Sequence, residues 1–555
     1  MKVVIVGGVA GGASAAARAR RLSEDAEIVL IERGPEPSFA NCGLPYYVGG
    51  EIKSRDKLLV APIELLRQRH GLDVRTYSEV TEIDRAKKKV TIRCKADGEA
   101  GQTRTYQESY DKLILSTGAS PFRPPIPGHD SAHVLELRDL TDADKLYGRV
   151  TGSAKSAVII GGGFIGIEVA ENLRRRGLKV TLVELGDQIL APWDKEMVQP
   201  LLLHLRNQQI DLRLGDSVES FHDADDQLVS HLACGDRIIS DFAVVCIGVQ
   251  PESGLASDAG IDCGLRGGIV TNPHMQTSDP DIYAVGDVTE VSCSVSNRRT
   301  QVPLAGPANR QGRIAADHIF GRSSKYRGTQ GTAIVGVFGM TAAITGLSEK
   351  LLKQMGLSYQ KIYVHPSDHA GYYPGATAMT LKLLFDPSDG RILGAQGVGT
   401  NGVDKRIDVI AMAIQGGMTV EDLEESELCY APQYGSAKDP VNMAGFVASG
   451  VLRNDHPIVH TDRVDSGESK FLLDVRTDGE FAAGNIPGAV SIPLEQLRQR
   501  TGELPAGQTI VCYCKVGQRG YMATRLLKQR GFDAVNLSGG YTTWLRCSHA
   551  ENGAQ

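Results

Sequence analysis

A chain of 555 residues is several times longer than one ordinary domain, because single cores stop growing at roughly 250 to 300 residues and domains average about 100 to 150, so three or four domains are expected. Hydrophobic residues at 41%, charged residues at 23% and 63 glycines describe a soluble globular α/β protein with many tight turns, which excludes a disordered or fibrous chain. Against 66 acidic residues, 60 basic ones leave a net charge of -6, no general field for nucleic acid or an anionic membrane, so any anion binding has to be local.

In chain order, Lys2 to Val6 is a short β-branched apolar run, Gly11 to Leu22 an alanine-rich helix and Ala26 to Glu32 a second apolar run, a β-α-β unit. The start resembles a signal peptide in composition, but a secretory apolar core has no reason to carry Gly7, Gly8, Gly11 and Gly12. No run of 18 apolar residues occurs, and a cytoplasmic, soluble chain with no membrane or nucleic-acid partner is expected. Tyr110 to Ser116 reads as a strand running into Thr117-Gly118-Ala119. The β-α-β grammar returns at Ala157 to Ile160, Phe164 to Arg176 and Lys179 to Glu184, so two nucleotides are implied. Tyr110 to Ser116, and Ala243 to Gly248 leading toward Asp281 to Asp287, are expected to return to the first domain. From about 325 to 445, short strands such as Met379 to Phe385 alternate with a helix, Val403 to Gln415. The stretch Ser449 to His456 reads as a linker, and a last module runs from about Val459 to near Trp544 with a polar tail beyond.

Gly7-Gly8-Val9-Ala10-Gly11-Gly12 closes a strand and opens a helix, and Glu32 stands 20 residues after Gly12 at the end of the next strand. Glycine permits the tight turn, the helix N-terminus faces a pyrophosphate and the carboxylate accepts from ribose hydroxyls. Val9 departs from strict G-x-G-x-x-G. Gly161-Gly162-Gly163-Phe164-Ile165-Gly166 satisfies that pattern and is answered by Glu184 after 18 residues. Glu184 repels a 2′-phosphate and its neighbours Leu185, Gly186 and Asp187 offer no cation, which favours NADH over NADPH. Arg174, Arg175 and Arg176 read as a solvated face complementing the helix dipole.

The ten cysteines show no framework spacing and no Cys-x-x-Cys pair, so most are expected to be buried thiols in a reducing compartment. Cys42 is an exception, flanked by Asn41, Gly43 and Pro45, residues of a loop or helix start where backbone N–H groups lower a thiol pKa. Tyr47 stands five positions later, where two-cysteine disulfide reductases carry a partner, so oxidised Cys42 has to be a mixed disulfide, a persulfide or a sulfenic acid.

Thr277-Ser278-Asp279-Pro280-Asp281-Ile282-Tyr283-Ala284-Val285-Gly286-Asp287 resembles the FAD-specific segment of pyridine nucleotide disulfide oxidoreductases. The residues around Cys42 with the two glycine loops resemble the single-cysteine coenzyme A disulfide reductases over roughly residues 1 to 445. The resemblance implies an FAD site at Gly7, Val9, Ala10, Gly12, Glu32, Arg33, Asn41, Thr117, Gly118, Gly286, Asp287 and Ala305, with Asp287 on the ribityl chain. It implies an NAD site at Gly161, Gly163, Phe164, Ile165, Gly166, Glu184 and Gly248, with Glu168 near the nicotinamide. Ser14, Arg18, Arg21, Ser38, Asn41 and Arg69 would line a coenzyme A site that Lys438 joins from the second subunit of a homodimer, although Arg18 and Arg21 also suit a merely solvated helix face. Tyrosines usually just pack. In the family Tyr430 and Tyr372, or Tyr373 in its place, would reach across the dimer to donate to a leaving thiolate.

In the last module Ile510 to Tyr513 is a strand, followed by Cys514 and by Lys515, Val516, Gly517, Gln518 and Arg519 before a helix, Tyr521 to Gln529. A thiolate there would be cradled by backbone N–H groups and two cations. The flanks Leu473 to Arg476, Gly484 to Ala489 and Leu537 to Trp544 resemble a single-domain rhodanese, with Asn485 where many relatives have histidine. A cysteine-dependent phosphatase needs a roomier Cys-x-x-x-x-x-Arg cradle, whereas four residues separate Cys514 from Arg519, and Cys512 suits the core.

The fold implied is α/β: an FAD-binding Rossmann-like domain at 1–112 and 245–322, an NAD-binding one at 113–244, an α+β dimerisation domain at 325–446 and a rhodanese domain at 457–548. The activity implied uses FAD, NADH and coenzyme A: Cys42 attacks coenzyme A persulfide, polysulfide or disulfide, and Cys514 carries sulfane sulfur. The competing readings are an NADH oxidase or peroxidase cycling through a Cys42 sulfenic acid, and a sulfur-binding redox sensor without turnover.

Overall fold

The computed structural model describes residues 1–95, 102–464 and 470–551. Lys2–Val6, Glu27–Ile31, Lys112–Leu115, Ile282–Ala284 and Asp73–Arg75 form a five-stranded parallel sheet with Lys2–Val6 at its centre. Its inner strands run apolar after their first residue because both faces are covered. Val3, Ile5, Ile28 and Leu30 pack under the helices Ala10–Leu22 and Ala305–Ile319. Val4, Val6, Val29 and Ile31 pack against the antiparallel meander Ser78–Asp84, Lys89–Lys95 and Thr103–Ser109. Gly11 and Gly312 let the two helices approach, since a Cβ on Gly312 would collide with the Gly11 carbonyl.

The second parallel sheet repeats the plan with Asp211–Leu214, Lys179–Glu184, Ser156–Ile160, Phe242–Val245 and Val134–Leu135, and its own three-stranded meander covers one face. Two boundaries move. Phe242–Val245 pairs with Ser156–Ile160, so this segment stays in the second sheet and does not return to the first, whereas Ile282–Ala284 does return. The strand Lys112–Leu115 pairs with Lys2–Val6, so the first sheet runs past the boundary expected at 112.

The chain divides into two compact units, Met1–Leu185 with Ile210–Thr329, and Gly186–Gln209 with the chain from Gln330 onward. The stretch expected as one domain at 113–244 is therefore split. The helix Lys195–Asn207 and Asp194 before it belong to the second unit, because Lys382 is fully buried there with its Nζ 2.8 Å from Asp194, 2.6 Å from Glu196 and 2.6 Å from Glu349. Burial opposes the charge, but the carboxylates outweigh it and hold the Lys382 ammonium well above its usual range.

In the second unit an antiparallel sheet runs in the order Ala333–Val337, Met340–Gly346, Ile392–Gly399, Met379–Phe385, Gln360–Val364, with Val403–Gly416 and Pro440–Leu452 packed on its core face. Pro440–Leu452 continues through Ser449 and Gly450, both buried, so the linker expected from Ser449 begins only after Leu452. A third parallel sheet follows, in the order Ile458–Val459, Ala534–Leu537, Ile510–Tyr513, Phe471–Asp474, Val490–Ser491. The residues expected as a polar tail after Trp544 instead extend a helix, Gly540–Glu551.

Candidate active site

In the first unit, Gly7 adopts φ +95° and Gly161 φ +105°, and a Cβ on either would collide with a backbone carbonyl, of Ser116 and Cys246 respectively. A Cβ on Gly12 or Gly166 would meet the Gly7 or Gly161 carbonyl across the same tight turn. Val9 is the helix cap at φ −83°, outside the left-handed region that favours glycine. Gly163 caps its helix in the same way, and a Cβ there would find nothing within 4 Å. Neither cap supplies a side chain to the first-turn N–H groups, the arrangement a pyrophosphate completes. Glu32 accepts from Gly8 N at 2.8 Å and Glu184 from Gly162 N at 2.6 Å, so each strand-end carboxylate is fixed at the rim of its loop.

The Thr117-Gly118-Ala119 segment is tied to Glu252. Thr117 Oγ1 donates to the Glu252 carbonyl at 2.7 Å, Glu252 N to the Gly118 carbonyl at 2.9 Å, and Arg33 pairs with the Glu252 carboxylate at 3.0 Å. Gly286 N donates to Gln311 Oε1 at 2.7 Å, which fixes the turn before Asp287. The Asp287 carboxylate takes no hydrogen bond among the described residues, and burial pushes it up although Arg138 opposes this. A desolvated acceptor with no protein donor suits a polyol hydroxyl, so these residues fit the flavin dinucleotide expected here. Gly248, at φ +116°, the exposed Ile165 and the half-buried Phe164 complete the second loop, and Ala10 and Ala305 each open a helix.

Cys42 is exposed in the turn Asn41–Gly43 that leads into the helix Leu44–Gly49. Desolvation by the surrounding protein, then the charges of Glu168 and Asp287, push its thiol up. The lowering expected from the loop is reversed, because desolvation first and then the two carboxylates outweigh the backbone hydrogen bond that favours the thiolate. Tyr46 Oη donates to Glu168 Oε1 at 3.1 Å, and burial raises the Glu168 carboxyl against that hydrogen bond. Tyr47 is buried, stacks on Tyr147 with centroids 4.9 Å apart and donates to Asp144 at 3.3 Å, so it is a packing residue between two helices.

The expected coenzyme A residues are spread more widely. Ser14 hydrogen-bonds Asn309, and Arg18 is ion-paired with Asp317 at 2.6 Å. Ser38 is buried at φ +55°, its N–H donating to the Gly8 carbonyl at 2.8 Å, while Arg21, Asn41 and Arg69 are exposed. Lys438, Tyr372 and Tyr430 belong to the second unit. The two tyrosine hydroxyls lie 2.9 Å apart and both rings are exposed, as is Tyr373. Sequence reasoning missed Tyr46, Gln311, Glu252 and Arg138. Only Tyr46 carried a local signal, four residues after Cys42 and one helical turn on.

In the second unit Cys514 is buried at the end of the strand Ile510–Tyr513. Gly517 N donates to its Sγ at 3.2 Å, and the following helix begins at Gln518, three residues before the expected Tyr521. Gly517, at φ +97°, makes the sharp turn that aims this N–H back at sulfur. Arg519 holds Glu480 through two bonds of 2.8 Å and pulls that carboxyl down to about 2, while Lys515 and Gln518 are exposed and Val516 is half-buried. Asn485 donates to the Phe481 carbonyl at 3.2 Å. Burial pushes Cys512 up to about 12. All ten cysteines are free thiols, but only Cys293, Cys512 and Cys514 are fully buried, fewer than the composition led one to expect.

Residues 1–312 match the family "Pyridine nucleotide-disulphide oxidoreductase", and residues 332–439 match its dimerisation domain. The chain belongs to that family. Residues 459–547 match the rhodanese-like domain, so this oxidoreductase carries a fused rhodanese module and uses FAD with a nicotinamide. It is 36% identical over 451 residues to the coenzyme A disulfide reductase of Staphylococcus haemolyticus (strain JCSC1435), covering 80% of this chain and 99% of that one. Among solved structures, the reduced Bacillus anthracis CoADR-RHD shares 46% identity at a TM-score of 0.95, over 98% of each chain. A NAD-dependent persulfide reductase from A. fulgidus shares 36% identity at a TM-score of 0.90, over 98% of this chain and 100% of that one. No helix among the described residues is long and apolar enough to cross a membrane.

Proposed function

We propose that this oxidoreductase uses NADH to reduce coenzyme A persulfide or polysulfide, or coenzyme A disulfide, at Cys42, and that Cys514 handles sulfane sulfur. The observation that carries the reading is an exposed Cys42 within reach of the charges of Glu168, after the second glycine loop, and Asp287, at the flavin-suited turn. The likeness to a coenzyme A disulfide reductase and to a persulfide reductase supports the same substrate class. FAD, when bound, supplies the relay that passes an electron pair from nicotinamide to sulfur. The Cys42 thiolate attacks the sulfur attached to coenzyme A, forming Cys42–S–S–CoA and expelling hydrosulfide from a persulfide or coenzyme A thiolate from a disulfide. Two electrons then cleave the mixed disulfide and restore Cys42. We assign the taking and returning of the Cys42 proton to the hydrogen-bonded pair Glu168 and Tyr46, whose charges interact with that thiol.

The Glu184 carboxylate selects NADH by repelling a 2′-phosphate. The exposed Tyr372–Tyr430 pair and Lys438 serve the active site of a second copy in a homodimer, and the domain limits given from the sequence, with two boundaries moved and Gly186–Gln209 assigned to the second unit, and a cytoplasmic location belong to the same proposal. Intact mass spectrometry of the purified protein with and without reductant tests it. A reducible coenzyme A adduct mapping to Cys42 is the expected result. Cys42 found only as sulfenic acid would replace the reading with an NADH oxidase or peroxidase.

A further inference from the structure

The Cys514 loop is held from behind by the start of the helix Gly540–Glu551. Tyr541 N donates to the Cys514 carbonyl at 2.8 Å and Thr542 N to the Lys515 carbonyl at 2.9 Å. A Cβ on Gly540 would collide with the Cys514 carbonyl, so backbone lies directly on backbone. The segment Ser538 to Thr543 is itself fastened to the edge strand Gln360–Val364 of the antiparallel sheet. Tyr363 N donates to Ser538 Oγ at 3.4 Å, and a Cβ on Gly539 would press on Tyr363 Cβ at 2.9 Å.

His365, two residues beyond Tyr363, bridges the two bodies. Its Nε2 lies 2.9 Å from Thr543 Oγ1 and its Nδ1 2.9 Å from Thr380 Oγ1, a hydroxyl that also accepts from Arg546 at 2.7 Å. Tyr363 is clamped from the other side by Glu196 at 2.7 Å, the same carboxylate that holds the buried Lys382. The His365 and Glu196 bonds are short, the Tyr363 N bond to Ser538 is long, and with the close packing at Gly539 and Gly540 these links lead from the dimerisation sheet to the carbonyl of the sulfur-bearing residue.

We infer that His365, acting through Thr543, is a positioning residue for Cys514, so that the dimerisation sheet sets the geometry of the sulfurtransferase loop. The inference rests on the reading of Cys514 as the sulfur carrier. In the assay reaction the Cys514 thiolate takes the outer sulfur of thiosulfate, releasing sulfite and leaving a Cys514 persulfide, and cyanide then removes that sulfur as thiocyanate. No net oxidant is required.

The test uses full-length, FAD-loaded protein with Thr543→Val, which removes the hydroxyl at nearly constant shape, Thr543→Ser, which keeps it, and His365→Ala. Thr543→Val and His365→Ala are expected to lower kcat for thiosulfate-to-cyanide transfer about tenfold, as misplacement of a reacting group does, with KM changed less than about twofold. Thr543→Ser should remain near wild type. NADH oxidation with coenzyme A disulfide should be unchanged in all three. Alkylation of Cys514 by iodoacetamide, mapped by mass spectrometry, should change rate in the first two variants while Cys42 alkylation does not. Wild-type transfer and wild-type Cys514 alkylation in both Thr543→Val and His365→Ala would overturn the inference, as would a parallel loss of both activities in every variant. A wild-type protein that transfers no sulfur would instead refute the carrier reading, and the alkylation rates would then judge the coupling alone.

Discussion

Cys42 and Cys514 are two thiols in opposite settings, one exposed beside carboxylates and one buried against a backbone N–H. The first is raised by desolvation and by the charges of Glu168 and Asp287, so removing a charge lowers it. Glu168→Gln is expected to move the pH profile of Cys42 alkylation by iodoacetamide to lower pH in the oxidised holoenzyme. An unmoved profile would show that Glu168 does not sense the sulfur. Tyr47 has a second role besides leaving Cys42 without a partner thiol. From the sequence it reads as an absent cysteine, while the structure uses its ring to stack on Tyr147 and its hydroxyl to reach Asp144.

The two glycine loops separate positions that fold the turn from positions that admit the ligand. Gly166 faces the Gly161 carbonyl, whereas Gly163 faces open space. Gly163→Ala is therefore expected to fold normally and to raise KM for NADH by about tenfold or more, because the added methyl fills space that the pyrophosphate approaches. Gly166→Ala should lose thermal stability as well as NADH binding. Thermal melts with steady-state kinetics distinguish the two. Lys382 is an element-scale clamp, joining the strand Met379–Phe385 to the helix Lys195–Asn207 through Glu196 and to Glu349. Lys382→Met would remove the buried cation shared by Asp194, Glu196 and Glu349, of which Glu349 keeps Lys353 and Lys361, and a loss of about 3 to 5 kcal/mol in urea unfolding is expected.

At the scale of the molecule, both tryptophans, Trp193 and Trp544, lie in the second unit, so their fluorescence follows that unit's unfolding. The same unit holds three imidazoles low, the half-buried His365 and His460 down to about 3 and the buried His456 to about 4, in each case first by desolvation. In the unfolded chain they protonate near 6.5, so between that value and the folded ones the unfolded state binds more protons and stability falls as the pH drops. The urea midpoint read by tryptophan fluorescence should decrease from about pH 7.5 to about pH 5; a flat profile would mean that these histidines are solvated. Local pattern was enough for the β-α-β units, both glycine loops, their answering carboxylates and the strand ahead of Cys514, because each depends on near neighbours in the chain. The retention of Phe242–Val245 in the second parallel sheet, the attachment of Lys195–Asn207 to the second unit, the raised Cys42 thiol and the backing of Cys514 by His365 and Thr543 were decided only by the tertiary structure. Those depend on desolvation and on partners distant in the chain, as Thr543 is 178 residues from His365, and no local spacing encodes either.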